Sequence, residues 1–255
     1  MVLSLDRWVG KVAVVTGCAS GIGAGIAEFL VDQGLIVVGL DRRCELVQEL
    51  AKKLSGKKGQ LHAVKADVSK EEEVVEAFKW VEDNLGPVHI LINSAGVAKE
   101  NFLYNGDAAQ WRATLDVNVL GVCIATREAV KSMVGNNING HVIHINSVAG
   151  HKVPNWLGIN IYTASKYAVT ALAETLRQEL NHLGSKIKIT SLSPGLVATE
   201  MTTLNTGVSE ERQAMLKSMP ILQPQDIAEA IGYVLSTPEN VQIQELTIVP
   251  LGETF

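Results

Sequence analysis

The sequence predicts one α/β domain over residues 1–255, a doubly wound sheet of seven mostly parallel strands with helices on both faces. Two observations predict it. Short runs of β-branched residues alternate with segments of helical periodicity from one end of the chain to the other. These runs are apolar on both faces, which is typical of parallel strands buried between two layers of helices. Ligands of such sheets bind beyond the carboxyl ends of the strands, so site residues are expected there.

The alternation gives approximate bounds for every element. The expected strands are 11–16, 35–40, 61–65, 88–92, 141–146, 186–193 and 244–249. The expected helices are 22–33, 43–55, 70–85, 107–134, 162–182 and 225–236.

Composition excludes several classes of protein. A net charge of -5 and a pI near 5.7 argue against a nucleic-acid surface. The 3 cysteines have unrelated spacing, which predicts neither a disulfide framework nor a metal site. Asp6 and Arg7 precede any apolar segment, so no signal peptide is expected, and no apolar run approaches the length of a membrane span. The sequence therefore predicts a reduced, cytoplasmic protein.

The loop after the first strand is rich in glycine. Gly17, Gly21 and Gly23 allow a sharp turn and a close approach of the backbone, and Ser20 and Ile22 lie between them. The helix that follows offers free N–H groups to a phosphate. An ordinary glycine turn is the alternative, but the flanking strand and helix favour nucleotide binding.

The second strand ends in residues with opposite preferences. Asp41 can accept hydrogen bonds from an adenosine ribose diol and repels a 2′-phosphate. Arg42 and Arg43 would instead bind that phosphate. An exposed first helical turn is the alternative for both arginines, and the residues alone do not decide.

Polar residues also follow the third and fourth strands. Asp67 and Val68 lie where a side chain could meet an adenine amine, although Asp67 could equally belong to a helix start capped by Ser69 and Glu72. The run 93–96, Asn-Ser-Ala-Gly, is small enough for close backbone approach.

Tyr162 and Lys166 lie four residues apart at the start of an expected helix, so they share one face. A nearby cation favours the phenolate, which predicts a lowered pKa for Tyr162 and a usable acid and base. A solvated pair on a surface helix is the alternative. Ser147 follows the fifth strand, where its hydroxyl could contact a substrate carbonyl, although serine is also common in turns. Asn118 lies in an apolar segment, where a structural role is the more common one.

The sixth strand ends in Pro194 and Gly195, a rigid turn that Val197 and Thr199 follow. The polar stretch 200–220 comes next and is expected to cover the crevice. Within it, Met201, Met215 and Met219 are candidates for an apolar pocket, with core packing as the alternative.

As a set, these motifs resemble the short-chain dehydrogenase/reductase superfamily over essentially the whole chain. Residues 6–8, 150–151, 176–180 and 233–238 are similar to its insect farnesol-dehydrogenase-like group and the vertebrate member-eleven relatives. The resemblance implies a Rossmann-type domain and a catalytic set of Asn118, Ser147, Tyr162 and Lys166. The cofactor-binding set that it implies is Gly17, Ser20, Gly21, Ile22, Gly23, Asp41, Arg42, Asp67, Val68, Asn93, Ala95, Gly96, Tyr162, Lys166, Pro194, Gly195, Val197 and Thr199.

The roles that the resemblance implies are specific. Tyr162 would be the general acid/base, and Lys166 would lower its pKa and hold the nicotinamide ribose. Ser147 would polarise the carbonyl, Asn118 would hold a water of a proton relay, and Thr199 would touch the nicotinamide carboxamide. Two positions depart from the family pattern. Ser94 replaces the usual second asparagine of its loop, and relatives of the narrower group have a small residue where Asp41 stands.

We therefore expect an NAD(P)-dependent oxidoreductase that interconverts an alcohol and a carbonyl on an apolar, isoprenoid or steroid-like substrate. Asp41 favours NAD, whereas Arg42 and the narrower group favour NADP, and on balance NAD is the cofactor expected. A nucleotide sensor or scaffold without catalysis is the alternative from another class. An epimerase or dehydratase would show another glycine spacing and a longer substrate domain. Small residues on the helices 107–134 and 162–182, among them Ala164, Ala168, Ala171 and Ala173, predict a homodimer or homotetramer.

Overall fold

The computed structural model describes residues 3–156, 158–203 and 219–253. Within them, a 7-stranded sheet has the order β3-β2-β1-β4-β5-β6-β7, and every neighbouring pair runs parallel. This confirms the predicted fold class. The strands are β1 (Val12–Thr16), β2 (Ile36–Asp41), β3 (Gln60–Lys65), β4 (Val88–Asn93), β5 (His141–Ile145), β6 (Lys188–Pro194) and β7 (Glu245–Ile248).

The helices lie close to their expected positions. They are α1 (Gly21–Asp32), α2 (Cys44–Lys53), α3 (Glu71–Leu85), α4 (Ala108–Leu115), α5 (Gly121–Gly135), α6 (Ile161–His182), α7 (Glu200–Thr203) and α8 (Pro224–Ser236). The helix expected over 107–134 is the one that differs in kind. A π-helical turn, Asp116–Leu120, separates α4 from α5. Short 3₁₀ turns also form at Asp6–Trp8 and Val148–Gly150.

Two apolar cores cover the two faces of the sheet. Ala13 and Val15 of β1 belong to one core, which α1 and α8 complete with residues such as Ile26 and Ile231. The intervening residues of β1, such as Val14, belong to the other core, which α3, α5 and α6 complete. Successive residues of a strand point to opposite faces. A central strand with helices on both sides must therefore be apolar throughout, as β1 is.

The order of the strands opens a crevice beside β1. The chain moves from β1 to β2 and β3 on one side and then from β4 to β7 on the other. The connections on the two sides diverge, which leaves a gap beyond the carboxyl ends of the strands. β1, β2, β4 and β6 end there in Thr16, Asp41, Asn93 and Pro194, and Ser147 follows β5.

Some sequence expectations are corrected or lie outside the description. Ser69 does not cap a helix with Glu72, because α3 begins at Glu71 after Lys70. Of the four alanines expected at an oligomer face, Ala164 is exposed, but Ala173 is buried in the core of the chain itself. Of the stretch 200–220, residues 204–218 with Met215 lie outside the described residues. In the described part of the chain, no helix is long and apolar enough to cross a bilayer, and no three metal-ligating side chains form a cluster.

Candidate active site

The glycine-rich loop is a cradle that only glycine can form. Gly17 and Gly21 have φ values of 68° and 57°, in the left-handed region that other residues rarely adopt. A Cβ on Gly23 would lie 2.2 Å from the carbonyl oxygen of Gly17, and one on Gly17 would lie 2.7 Å from Cα of Ala95. The loop therefore packs against the end of β4, and α1 begins at its far side. A group with phosphates fits this cradle, because the N-terminus of α1 attracts negative charge.

Thr16 joins the loops after β1 and β4. Its hydroxyl oxygen accepts hydrogen bonds from the backbone N–H groups of Ser94 and Ala95, each at 3.1 Å. Asn93, at the start of the same loop, is anchored in the core. Its amide donates to Thr126 at 3.0 Å and contacts Nδ1 of His144 at 3.1 Å. The side chain of Asn93 thus points into the protein, and only the backbone of this loop faces the crevice that the resemblance assigns to the cofactor. Thr16 begins the glycine motif of the sequence but was not selected as a site residue.

The structure at the end of β2 shows which of the two arginines faces the crevice. Asp41 is buried, and its two carboxylate oxygens accept hydrogen bonds from the backbone N–H groups of Ala19 (3.0 Å) and Arg43 (2.9 Å). The guanidinium of Arg43 donates to Ser20 Oγ at 2.7 Å and to Glu200 at 2.8 Å. Ser20 also donates to Glu200, at 2.9 Å. Arg43, Ser20 and Glu200 therefore meet across the crevice, while the Arg42 side chain is exposed.

Asp67 and Val68 lie beyond β3 as expected. The Asp67 carboxylate accepts from both the N–H and the hydroxyl of Ser69, at 2.9 and 2.7 Å, so it shapes the turn before α3. Val68 is buried, and a Cβ on Gly121 at the start of α5 would lie 2.8 Å from its carbonyl oxygen. The turn after β3 thus packs closely on α5.

The π-helical turn carries Asn118 into the site. The side chain of Asn118 accepts from the N–H of Val97 at 2.8 Å and donates to its carbonyl at 2.9 Å. It also donates to Ser165 Oγ at 3.1 Å, and Ser165 donates to the carbonyl of Tyr162 at 2.6 Å. Asn118 thus links the loop after β4 to the start of α6. The buried Asn118 amide is fully hydrogen-bonded, as the structural alternative from the apolar segment predicts. It also stands in a π turn, and such turns often occur at functional sites.

Tyr162, Ser147 and Lys166 come together at the wall of one cleft. The Tyr162 phenol and the Ser147 hydroxyl both line the cleft, and the Ser147 oxygen accepts from the N–H of Ala149 at 3.1 Å. The ammonium nitrogen of Lys166 lies 5.8 Å from the centre of the Tyr162 ring and donates to the carbonyl of Ile145 at 2.8 Å. The helical spacing therefore places both side chains on one face of α6, as predicted.

The expected fall in the pKa of Tyr162 is wrong for this structure. Burial raises the pKa of Tyr162, and Ser147 lowers it by less. Burial also lowers the pKa of Lys166 to about 8. The sequence argument counted a cation one turn away but not the loss of solvent around the phenol, which disfavours the phenolate. At neutral pH the Tyr162 phenol is therefore protonated.

His144 lies in the core beside these residues. Burial, with a smaller effect from the charge of Lys166, lowers the pKa of His144 to about 4, so its imidazole is neutral at neutral pH. Asn93 donates to Nδ1, so the ring proton is on Nε2. Because His144 is neutral, it adds no second positive charge near the ammonium of Lys166.

The cleft contains about 1060 Å³ of space not filled by atoms, its open mouth included. Its walls are mostly apolar, and Met201 contributes to them as one of the two expected alternatives. The site residues that line it are Ile22, Ser147, Tyr162, Pro194, Gly195, Val197 and Thr199. Other lining residues, not selected from the sequence, include Pro154, Trp156 and Ile159 in the segment before α6.

A family model described as short chain dehydrogenase matches residues 11–208. A nucleotide cradle, a Tyr162–Ser147 pair and a lysine one turn along α6 stand in the region that it covers. The chain belongs to the short-chain dehydrogenase family and is an alcohol dehydrogenase/reductase with a nicotinamide dinucleotide cofactor.

Individual members of the family are similar to this chain over nearly its whole length. Farnesol dehydrogenase of Aedes aegypti is 50% identical over 253 residues, which cover 98% of this chain and 100% of that protein. Dehydrogenase/reductase SDR family member 11 of Mus musculus is 43% identical, over 96% of each chain. Among solved structures, the closed form of a serine dehydrogenase complexed with NADP+ superposes with a TM-score of 0.86 at 29% identity, covering 96% of this chain and 97% of that one.

Proposed function

We propose that this protein interconverts an alcohol and a carbonyl on an apolar, isoprenoid-like substrate, with Tyr162 as general acid and base. The observation that carries the proposal is that the hydroxyl-bearing residues Tyr162 and Ser147 both stand in the wall of one apolar cleft, where Ser147 affects the pKa of Tyr162. Two donors on one side of a cleft can bind a single substrate oxygen. The similarity to a farnesol dehydrogenase supports the isoprenoid class over a steroid-like one.

The residues of the chain divide the reaction among them. When bound, the nicotinamide dinucleotide supplies or receives the hydride. Ser147 Oγ and the Tyr162 hydroxyl hold the substrate oxygen, where negative charge grows during reduction, and donors already in place stabilise that charge. The Tyr162 hydroxyl then delivers its proton to this oxygen. The ammonium of Lys166 lies close enough to the ring to stabilise the phenolate that remains.

The test is turnover of farnesol, farnesal, retinal and 3-ketosteroids with each cofactor, followed through the absorbance of the reduced nicotinamide. Turnover should be highest with farnesol or farnesal, and Tyr162→Phe should remove it. Higher turnover of the steroids would reject the isoprenoid class. Cofactor binding without turnover of any compound would support the non-catalytic sensor instead.

We further propose NADP(H) as the preferred cofactor. Arg43 and Ser20 present donors at the corner of the crevice, between the glycine-rich loop and the end of β2. The guanidinium of Arg43 lies 3.8 Å from the Asp41 carboxylate and offsets part of its negative charge, which weakens the repulsion of a 2′-phosphate. Arg43, rather than Arg42, is therefore the arginine that would bind this phosphate.

A second copy of the chain is the partner that we propose for the face formed by α4, α5 and α6. Leu115, Leu120 and Tyr167 are 37%, 50% and 42% exposed along this face or the π turn within it. Burying such side chains across a two-fold axis would stabilise a dimer, or a tetramer if a second face also pairs. Light scattering at micromolar concentration should give at least twice the chain mass, and Leu120→Asp should reduce it. A monomeric wild type would reject the proposal.

A further inference from the structure

Asn160 occupies a strained backbone position immediately before the helix that carries Tyr162. Its φ of 38° and ψ of -121° lie where side chains are rarely found. The N–H of Tyr162 donates to the carbonyl of Ile159 at 3.1 Å, which closes a four-residue turn with Asn160 as its second residue. These angles are close to those of the first central position of a type II′ turn, where glycine is preferred. An asparagine here has a backbone cost that glycine would not have.

The side chain of Asn160 makes contacts that glycine cannot. Its amide nitrogen donates to the carbonyls of Lys99 and Gly158, each at 2.8 Å. Its carbonyl oxygen accepts from the N–H of Ile161, the first residue of α6. One amide group therefore connects the loop after β4, the segment before α6 and the start of α6 itself.

The connected segments form one wall of the cleft. Lys99, Gly158 and Tyr162 all line it. The two segments are also in close contact elsewhere, since the N–H of Asn101 donates to the carbonyl of Gly158 at 3.1 Å. A Cβ on Gly158 would lie 2.7 Å from Cγ of Glu100, so little space separates them. The Asn160 amide therefore adds a direct link between this wall and the first residue of α6.

We propose that Asn160 is a positioning residue that holds the Tyr162 hydroxyl in register with Ser147 by fixing the start of α6 to this wall. The inference rests on the proposed role of Tyr162. It explains why a strained asparagine stands where glycine would be more comfortable: the strain is accepted for the three side-chain bonds. Strain of this kind is often retained at functional sites.

The test compares Asn160→Gly and Asn160→Asp with the wild type in the full-length protein. Asn160→Gly relieves the backbone strain and removes all three bonds. We expect an unchanged or higher melting temperature, kcat lower by about tenfold and an unchanged KM for the cofactor, because a small misplacement of a reacting group costs this much or more. Asn160→Asp keeps the acceptor for Ile161 but turns a carboxylate oxygen toward two carbonyls. It should lose as much kcat as Asn160→Gly.

A matched control removes a helix cap elsewhere. Asp107 caps α4 by accepting from the N–H of Ala109 at 2.9 Å, and Asp107→Ala should lower the melting temperature with kcat unchanged. The pH profile adds a readout that a purely structural role would not move. A displaced Tyr162 gains solvent, so the pH at which oxidation reaches half its maximum should fall in Asn160→Gly.

The outcomes separate the inference from the proposed function. Wild-type kcat in Asn160→Gly would overturn the inference, and wild-type kcat in Asn160→Asp would overturn the contribution of the wall. A loss of kcat that only follows a loss of melting temperature, as in a general cap defect, would also overturn it. If Tyr162→Phe itself kept full turnover, the proposed function would fail first.

Discussion

Replacing Tyr162 with phenylalanine is expected to lower kcat for alcohol oxidation and carbonyl reduction by about 10²–10⁴, the usual contribution of a positioned acid or base. The change removes one oxygen, which is the proposed proton donor and whose pKa Ser147 lowers. The phenyl ring keeps the packing against Lys166 and the cleft. The KM for the cofactor should change little, so the loss should appear in kcat, measured by steady-state assays in both directions.

The matched control for this change is Tyr167→Phe. Tyr167 lies on the same helix, five residues further on, and is 42% exposed. Tyr167→Phe removes the same hydroxyl oxygen from a position outside the cleft, so the kcat of this variant should equal that of the wild type. Equal losses in both variants would indicate a general effect on α6 and contradict the assignment of Tyr162.

The pH dependence of the wild type gives the same assignment by another route. Because burial raises the pKa of Tyr162, the phenol holds its proton over the neutral range. Reduction uses the protonated form and should be fastest at neutral or lower pH, then decline as the phenol titrates. Oxidation uses the phenolate and should increase as the pH rises. Tyr162→Phe should lose both dependences at its low residual rate.

Replacing Arg43 with glutamine is expected to reduce kcat/KM for NADPH by about 10–100-fold, the value of a charge-assisted hydrogen bond to a phosphate. We expect a reduction near the low end of this range, since the Arg43 side chain is 39% exposed and water screens part of its charge. kcat/KM for NADH should change little, because that cofactor lacks the 2′-phosphate. Steady-state kinetics with both cofactors measures the ratio of kcat/KM for NADPH to kcat/KM for NADH directly.

Arg42→Gln is the matched control for the neighbouring side chain. Its exposed guanidinium should contribute only through its distant charge, so the NADPH/NADH ratio should fall by a few-fold at most. Glu200→Gln should act in the opposite direction to Arg43→Gln, because Glu200 accepts from Arg43 at 2.8 Å and from Ser20 where a phosphate would bind. A wild type that prefers NADH, or equal effects of the two arginine variants, would contradict the cofactor proposal.

The sequence predicted those features that depend on order along the chain. β1, its glycine loop and α1 follow directly, because a buried run, a glycine turn and an amphipathic segment are all local. The shared face of Tyr162 and Lys166 follows from helical geometry alone. Ser147 could be placed beside them because parallel strands end at one edge of the sheet.

Features that depend on the course of the backbone in three dimensions were not predictable. The choice between Arg42 and Arg43 is made by the turn in which Asp41 accepts the N–H of Arg43, and adjacent residues in a sequence do not reveal which side chain faces the crevice. Asn160 was missed because its proposed role depends on its φ and on Lys99, 61 residues away. The pKa of Tyr162 was misjudged because burial is set by the walls of the cleft, which come from distant segments.

The π-helical turn between α4 and α5 has a consequence for the angular phase of the two helices. A π turn holds one residue more than an α turn, and each helical residue rotates the chain by about 100°. The side chains of α4 are therefore offset by roughly that angle from where a continuous helix with α5 would place them. Deleting a single residue within Asp116–Leu120 would restore a regular helix in length, yet it would rotate Asn118 away from Val97 or α4 away from its neighbours. In this short interval the chain length is as constrained as the identity of its residues.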